Sequence, residues 1–153
     1  MGFNDTETVA LVGGGHAFGK CHGACMEPPC GEGNLTGIGP NTFTAGFEGQ
    51  WSTTPTTWSN EYFNNLFNFD WVQTQSPAGQ VQWTPNTANG TVPNIFMLTA
   101  DLAMAEDELY RPISQQYASD KALLEKDFGA AWYRLVSGDM GPATRCIGEF
   151  VRP

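Results

Sequence analysis

Positive charge is scarce in this sequence. Seven Lys and Arg stand against sixteen Asp and Glu, for a formal charge of −9. Nothing gathers into a basic patch, which excludes nucleic acid as an expected partner and disfavours an anionic membrane surface. No apolar run approaches the roughly 20 residues of a membrane span. No charged and apolar leader follows Met1, where a helix-cap signal stands at once, so a cytosolic protein or an internal piece of a longer one is expected. No internal repeat is present. The four cysteines, Cys21, Cys25, Cys30 and Cys146, have no standard zinc spacing in their C-x3-C-x4-C run. A metal site including His22, disulfides and free thiols all stay open. The Gly- and Pro-rich loop 24–46 has no phosphate cradle, because its glycines do not precede a helix with a Lys-Ser/Thr pair. What is there, 153 residues with 41% hydrophobic content, is one domain's worth of chain with a core. Sequons at Asn34 and Asn89 fit secretion, which leaves extracellular and cytoplasmic locations both in play.

The stretch NDTETVALVGGGHAFGKCHG, residues 4–23, organises the rest. Asp5 can cap a helix, and Glu7 adds negative charge where the helix dipole favours it. Asp5, Val9, Val12 and His16 then share one helical face. Gly13, Gly14 and Gly15 precede His16, so backbone can lie close against a flat ligand there. Two readings of His16 follow: a hydrogen-bonded core histidine, or an iron ligand shielded by glycines.

Beyond the loop, Ser59 or Asn60 can cap a short helix carrying Tyr62, Phe63, Leu66 and Phe67. Trp51 and Trp58 flank Pro55 and can both be core. Alternation on either side of SPAG predicts a hairpin over 70–84, followed by a loop over 85–92. Leu98, Leu102 and Ala105 mark a helix face with Thr99 as its cap. Asp101 falls within that helix, facing water or buried with a partner. A helix is predicted from about Asp107 to Ala118, with Pro112 near its first turns. The longest runs from Asp120 to about Ser137, with Leu124, Phe128, Ala131, Trp132 and Leu135 as its buried stripe and Gly138 as its stop.

Several of these strings resemble one family. The segment around His16 is similar to the proximal-histidine segment of haem peroxidases that group with catalase-peroxidases, the fungal ones in particular. GFEG before Trp51, the W-[ST]-x-x-P pattern at Trp51, SPAG, MLTxD at Asp101 and AWYRLVSGDMGPATRCIGEFV resemble the same family. The resemblance implies a mainly α fold: a haem-peroxidase proximal helical subdomain with a small β-hairpin and long loops. It implies that His16 ligates the iron of haem b, with Gly15 against the cofactor and His22 near a haem propionate. Asp101 would accept the imidazole's other N–H, and Trp51 would pack beneath the haem. A carboxylate there makes the ring more basic and enriches the iron in electron density.

The departures matter as much. No stretch resembles the distal wall, whose arginine, tryptophan and histidine cleave peroxide. Residues 1–153 therefore resemble the proximal half of a peroxidase domain without the distal half. Met1 falls where catalase-peroxidases place the methionine of a Met-Tyr-Trp adduct. Ser59 and Ala17 replace cation-site residues of related peroxidases, so no monovalent ion is expected. Ala45 stands where many catalase-peroxidases have serine. The family implies hydrogen peroxide and a small organic electron donor as substrates. Self-association or pairing with a distal half is the expected partnership, because a half-domain leaves its haem face exposed. A haem-binding half-domain or a scaffold that has lost the cofactor are the alternatives.

Overall fold

A computed structural model describes residues 2–23, 46–76, 78–138 and 140–141. The predicted loop 24–46, Cys25, Cys30, Cys146, the Asn34 sequon, Ala45, Met1 and most of the segment beyond Gly138 lie outside the described residues, apart from Gly46. The side chains of His22 and Asn89 lie outside them as well.

Among the described residues five helices carry the fold: α1 (Asp5–Gly15), α2 (Glu61–Asn68), α3 (Thr99–Glu106), α4 (Tyr110–Ser119) and α5 (Lys121–Ser137). Two small antiparallel pairs accompany them. β1 (Cys21–His22) pairs with β2 (Glu48–Gly49), and β3 (Trp71–Gln75) pairs with β4 (Val81–Pro85) in the predicted hairpin. The mainly helical fold class is therefore observed. Among the described residues no helix is long and apolar enough to cross a membrane.

The helix starts show how local chemistry sets the frame. Asn4, not Asp5, caps α1. Its side chain accepts from the Glu7 amide at 2.8 Å, and Glu7 reaches back to the Asn4 amide at 2.9 Å. The reciprocal box satisfies two orphan amides where a single Asp5 cap would satisfy fewer. Asn60 uses its side chain on the last carbonyls of α4, Tyr117 O at 3.0 Å and Ala118 O at 2.9 Å, and so locks α2 to α4. Asp107 stands before α4 rather than within it, accepting from the Leu109 and Tyr110 amides at 2.8 and 3.0 Å. Pro112 then falls in the first turn, where no intrahelical N–H is missed. Asp120 caps α5 through the Leu123 amide at 3.0 Å. The polar stretch after the hairpin holds one short 3-10 turn, Thr87–Asn89.

The core lies between α1, α2, α4 and α5, built on Val9, Ala10, Tyr62, Phe63, Leu66, Tyr117 and Leu124. Gly13 and Gly14 make it possible. A Cβ on Gly13 would land in the Phe63 ring, and one on Gly14 in the Phe128 ring. The flat groups these glycines admit are thus the protein's own aromatics, which lets α2 and α5 close on α1. Gly15, the last residue of α1, is exposed with open space beside it. On α5 the expected stripe is corrected at one position. Leu124 and Ala131 are buried, but Trp132 is half exposed, because it stacks on the outside of Phe128, which already fills the space over Gly14.

Candidate haem-proximal site

His16 ends α1 as its C-cap residue, at the edge of the core. Two tethers bring the Trp51 segment to it. Downstream of His16, Cys21 and His22 pair with Gly49 and Glu48. Between them, the Gly19 amide donates to Pro55 O at 2.8 Å. Gly49 holds a φ of +142°, and a Cβ there would meet the Phe96 ring, so glycine lets the strand turn into Trp51. Asn65 of α2 donates to Trp51 O at 3.1 Å and fixes the backbone from behind. The result is a flat stack: the His16 and Trp51 rings lie 3.8 Å apart, 7° from parallel.

Asp101 meets both rings at their N–H edges. It is the third residue of α3, and its Oδ2 accepts from the Leu98 amide at 2.7 Å, so the predicted Thr99 cap is replaced by a carboxylate reaching back. The hairpin holds Leu98 in place. Trp83 and Met97 exchange backbone hydrogen bonds of 2.8 Å, and Trp83 Nε1 donates to Thr99 Oγ1 at 3.1 Å. Three side chains then converge on the carboxylate. Trp51 Nε1 donates to Oδ2 at 2.8 Å, His16 Nε2 to Oδ1 at 3.0 Å, and the Tyr62 hydroxyl to Oδ1 at 3.1 Å. Asp101 is 1% exposed and Trp51 7%, whereas the His16 side chain keeps 21% of its surface open. A buried carboxylate is stable here because each oxygen receives two donors, which is its full acceptor capacity.

Electrostatics follow from that buried charge. Burial first, then the Asp101 charge and the hydrogen bond to it, push the Tyr62 phenol well above its ordinary value, so it stays a donor. Burial, then the Asp101 and Glu48 charges, also push the Cys21 thiol up.

The arrangement suits one type of metal group. His16 has one nitrogen engaged by Asp101, while the other has no protein partner among the described residues. No group of three His, Cys, Asp or Glu side chains able to hold an ion exists among the described residues. Among the described residues a metal at His16 would have one protein ligand, which matches the coordination a macrocycle leaves open. A histidine oriented by a buried carboxylate through Nε2, with Nδ1 left over and part of its side chain open, fits haem.

The Peroxidase family model matches residues 1–120. The chain belongs to the peroxidase family. It is 45% identical over 175 residues to a catalase-peroxidase of Pseudomonas putida (strain W619), an alignment covering 97% of this chain and 23% of that protein. It is 41% identical over 178 residues to catalase-peroxidase 2 of Legionella pneumophila (strain Lens), covering 99% and 24%. The catalase-peroxidase of Pseudoalteromonas atlantica is 40% identical over 181 residues, covering 97% and 24%. The chain thus spans about a quarter of the length of the relatives it matches.

Among peroxidase residues named from the sequence, His16, Trp51 and Asp101 are brought into one hydrogen-bonded cluster. Gly15 adjoins His16 at the open helix end. The backbone of His22 lies in β1 opposite Glu48. Tyr62 was missed as a site residue. Its signal was present: a buried tyrosine hydroxyl in an otherwise apolar stripe demands a partner.

Proposed function

We propose that this chain is the proximal, haem-binding side of a fungal-type catalase-peroxidase domain, with residues 1–153 lacking the distal half. Haem b would be held by His16, with Gly15 beside it and His22 toward a propionate. When bound, haem would supply the reduction of hydrogen peroxide and the one-electron oxidation of a small organic donor. The observation that carries the reading is the shared carboxylate: Asp101 takes hydrogen bonds from both His16 and Trp51 while those two rings stack.

Each residue has a distinct task. Asp101 keeps the proton on the engaged nitrogen of His16, so the other nitrogen presents its lone pair. That same bond makes the ring a stronger donor to iron, which disfavours the reduced metal. Trp51 holds the ring plane of His16 by stacking. Its indole proton on Nε1 has a ready acceptor in Asp101 Oδ2, so charge gained at the indole would be balanced nearby.

A second reading has its own observation. The chain has two histidines, His16 and His22, six positions apart, and no other to serve as acid–base group across the haem. Alone, this chain would bind haem without cleaving peroxide efficiently. Exposed Trp132, Tyr133 and Val136 near the end of α5 offer apolar surface for a distal half or a second copy.

Titrating the protein with hemin tests the reading. A sharp absorption band with one-to-one stoichiometry is expected, lost or strongly blue-shifted in His16→Ala. A hemin spectrum identical in wild type and His16→Ala would overturn the assignment. Peroxide turnover that rises when a distal half is supplied separates the catalytic from the non-catalytic reading.

A further inference from the structure

We infer that Tyr62 is a positioning residue that competes with His16 for Asp101 Oδ1, and thereby raises the reduction potential of a haem iron held by His16. The inference rests on the haem reading above. It starts from the distribution of donors around one carboxylate. Oδ2 takes the Leu98 amide at 2.7 Å and Trp51 Nε1 at 2.8 Å. Oδ1 takes His16 Nε2 at 3.0 Å and the Tyr62 hydroxyl at 3.1 Å. A carboxylate oxygen has two acceptor positions, so Tyr62 occupies the place beside His16 and none remains. Each donor draws negative charge from the oxygen it meets. The phenol therefore weakens the pull of Asp101 on the imidazole proton, leaves His16 a poorer electron donor, and eases reduction of the metal.

The alternative is that Tyr62 merely props up Asp101. The geometry argues against it. Asp101 is placed by its own helix, through the reach-back bond to Leu98 N. Tyr62 is placed by α2, which is fixed independently by the Asn60 clamp on α4 and by Phe63 in the slot over Gly13. Neither side chain needs the other for its position. The Tyr62 ring also meets His16 directly, in an edge contact with centroids 5.1 Å and planes 64° apart.

The two roles predict opposite signs. In the hemin-loaded protein, Tyr62→Phe should lower the ferric–ferrous midpoint potential and raise the iron–histidine stretching frequency of the ferrous form by resonance Raman. Asp101→Asn should move both readouts the other way. A Tyr62→Phe shift in the same direction as Asp101→Asn, or no shift in a protein with an unchanged far-UV spectrum, would overturn the inference. If Tyr62→Phe fails to fold, 3-fluorotyrosine at position 62 supplies the second test. Its more acidic hydroxyl should raise the potential above wild type, and a lowered or unchanged value refutes the idea. A His16→Ala spectrum matching wild type would instead sink the haem assignment, independently of Tyr62.

Discussion

The His16 ring lies flat on Trp51 at 3.8 Å, and both rings donate to opposite oxygens of Asp101. One carboxylate thus sets the plane, tautomer and separation of two groups 35 positions apart in the chain. It does so from a site it shares with the first turn of its own helix. Stability and function are joined at this point, since whatever disturbs Asp101 disturbs both rings.

Replacing Asp101 by Asn should therefore destabilise the fold as well as the site. An amide keeps its oxygen for one pair of donors and turns an NH2 toward the other pair. Trp51 Nε1 and the Leu98 amide cannot accept from it, and His16 and Tyr62 could do so only by reversing their own bonds. Trp51, Tyr62 and the Leu98 amide are buried or partly buried, and leaving such a donor unpaired costs about 1–3 kcal/mol. A total loss of about 2–5 kcal/mol is expected for Asp101→Asn by urea unfolding of the protein without haem. A change within about 0.5 kcal/mol would mean that the donors find other partners.

Trp51→Phe separates stacking from hydrogen bonding. Phenylalanine keeps an aromatic plane against His16 but gives Oδ2 no proton. The fold should lose about 2–4 kcal/mol, the worth of a hydrogen bond to a charged acceptor plus some packing. Hemin affinity should stay within threefold, because the iron ligand and Asp101 remain. After peroxide treatment, any indole radical signal in electron paramagnetic resonance should be absent. A persisting signal would assign it to another tryptophan.

How much of this was legible in the sequence depends on the range of the interaction. The trio of His16, Trp51 and Asp101 could be named because each stands in a local string resembling peroxidases. Their mutual contact, across 85 residues between His16 and Asp101, came as a consequence. The hairpin and the ends of α5 were legible because alternation, SPAG and Asp120 act locally. The sequence places Tyr62 on a short helix and no more, since a local pattern does not report what a hydroxyl will meet. Asn4 and Asp5 are both competent caps, and the choice fell to Asn4 through the reciprocal bond with Glu7, three residues on. Trp132 was placed in the stripe by its hydrophobicity. On α5 the space over Gly14 is taken by Phe128, and Trp132, one turn later, stacks on Phe128 with half of its surface open.

Glu7 gives the fold a pH dependence of known sign. Its carboxylate is held below the ordinary value of 4.5, first by the Asn4 amide and then by Arg134. Arg134 donates to both Glu7 oxygens, at 2.7 and 2.6 Å, and to Gly2 O at 2.7 Å, joining the start of α1 to the end of α5. A depressed folded-state pKa contributes stability that is full above the unfolded value and lost as pH falls through the folded one. The stability difference between wild type and Glu7→Gln should be constant at neutral pH and shrink below about pH 5. Salt should reduce it at pH 7, since the pair is exposed. A difference that grows on acidification would contradict the assignment.

The three glycines before His16 should respond differently to the same substitution. Gly13→Ala and Gly14→Ala push a methyl into the Phe63 and Phe128 rings, in a core with little room to shift. Overpacking of this kind costs about 1–3 kcal/mol. Gly15→Ala meets nothing, and alanine at a helical position is favoured over glycine by up to about 1 kcal/mol. The protein without haem should therefore be weakened by the first two and unharmed or strengthened by the third. Hemin binding should reverse that order for Gly15. If its open side is where the macrocycle lies, Gly15→Val will leave the protein folded and weaken hemin affinity tenfold or more, an effect that Gly13→Ala, corrected for unfolding, will not show. Equal hemin affinity in wild type and Gly15→Val would place the cofactor away from the end of α1. His16 would then be left as a core histidine bonded to Asp101.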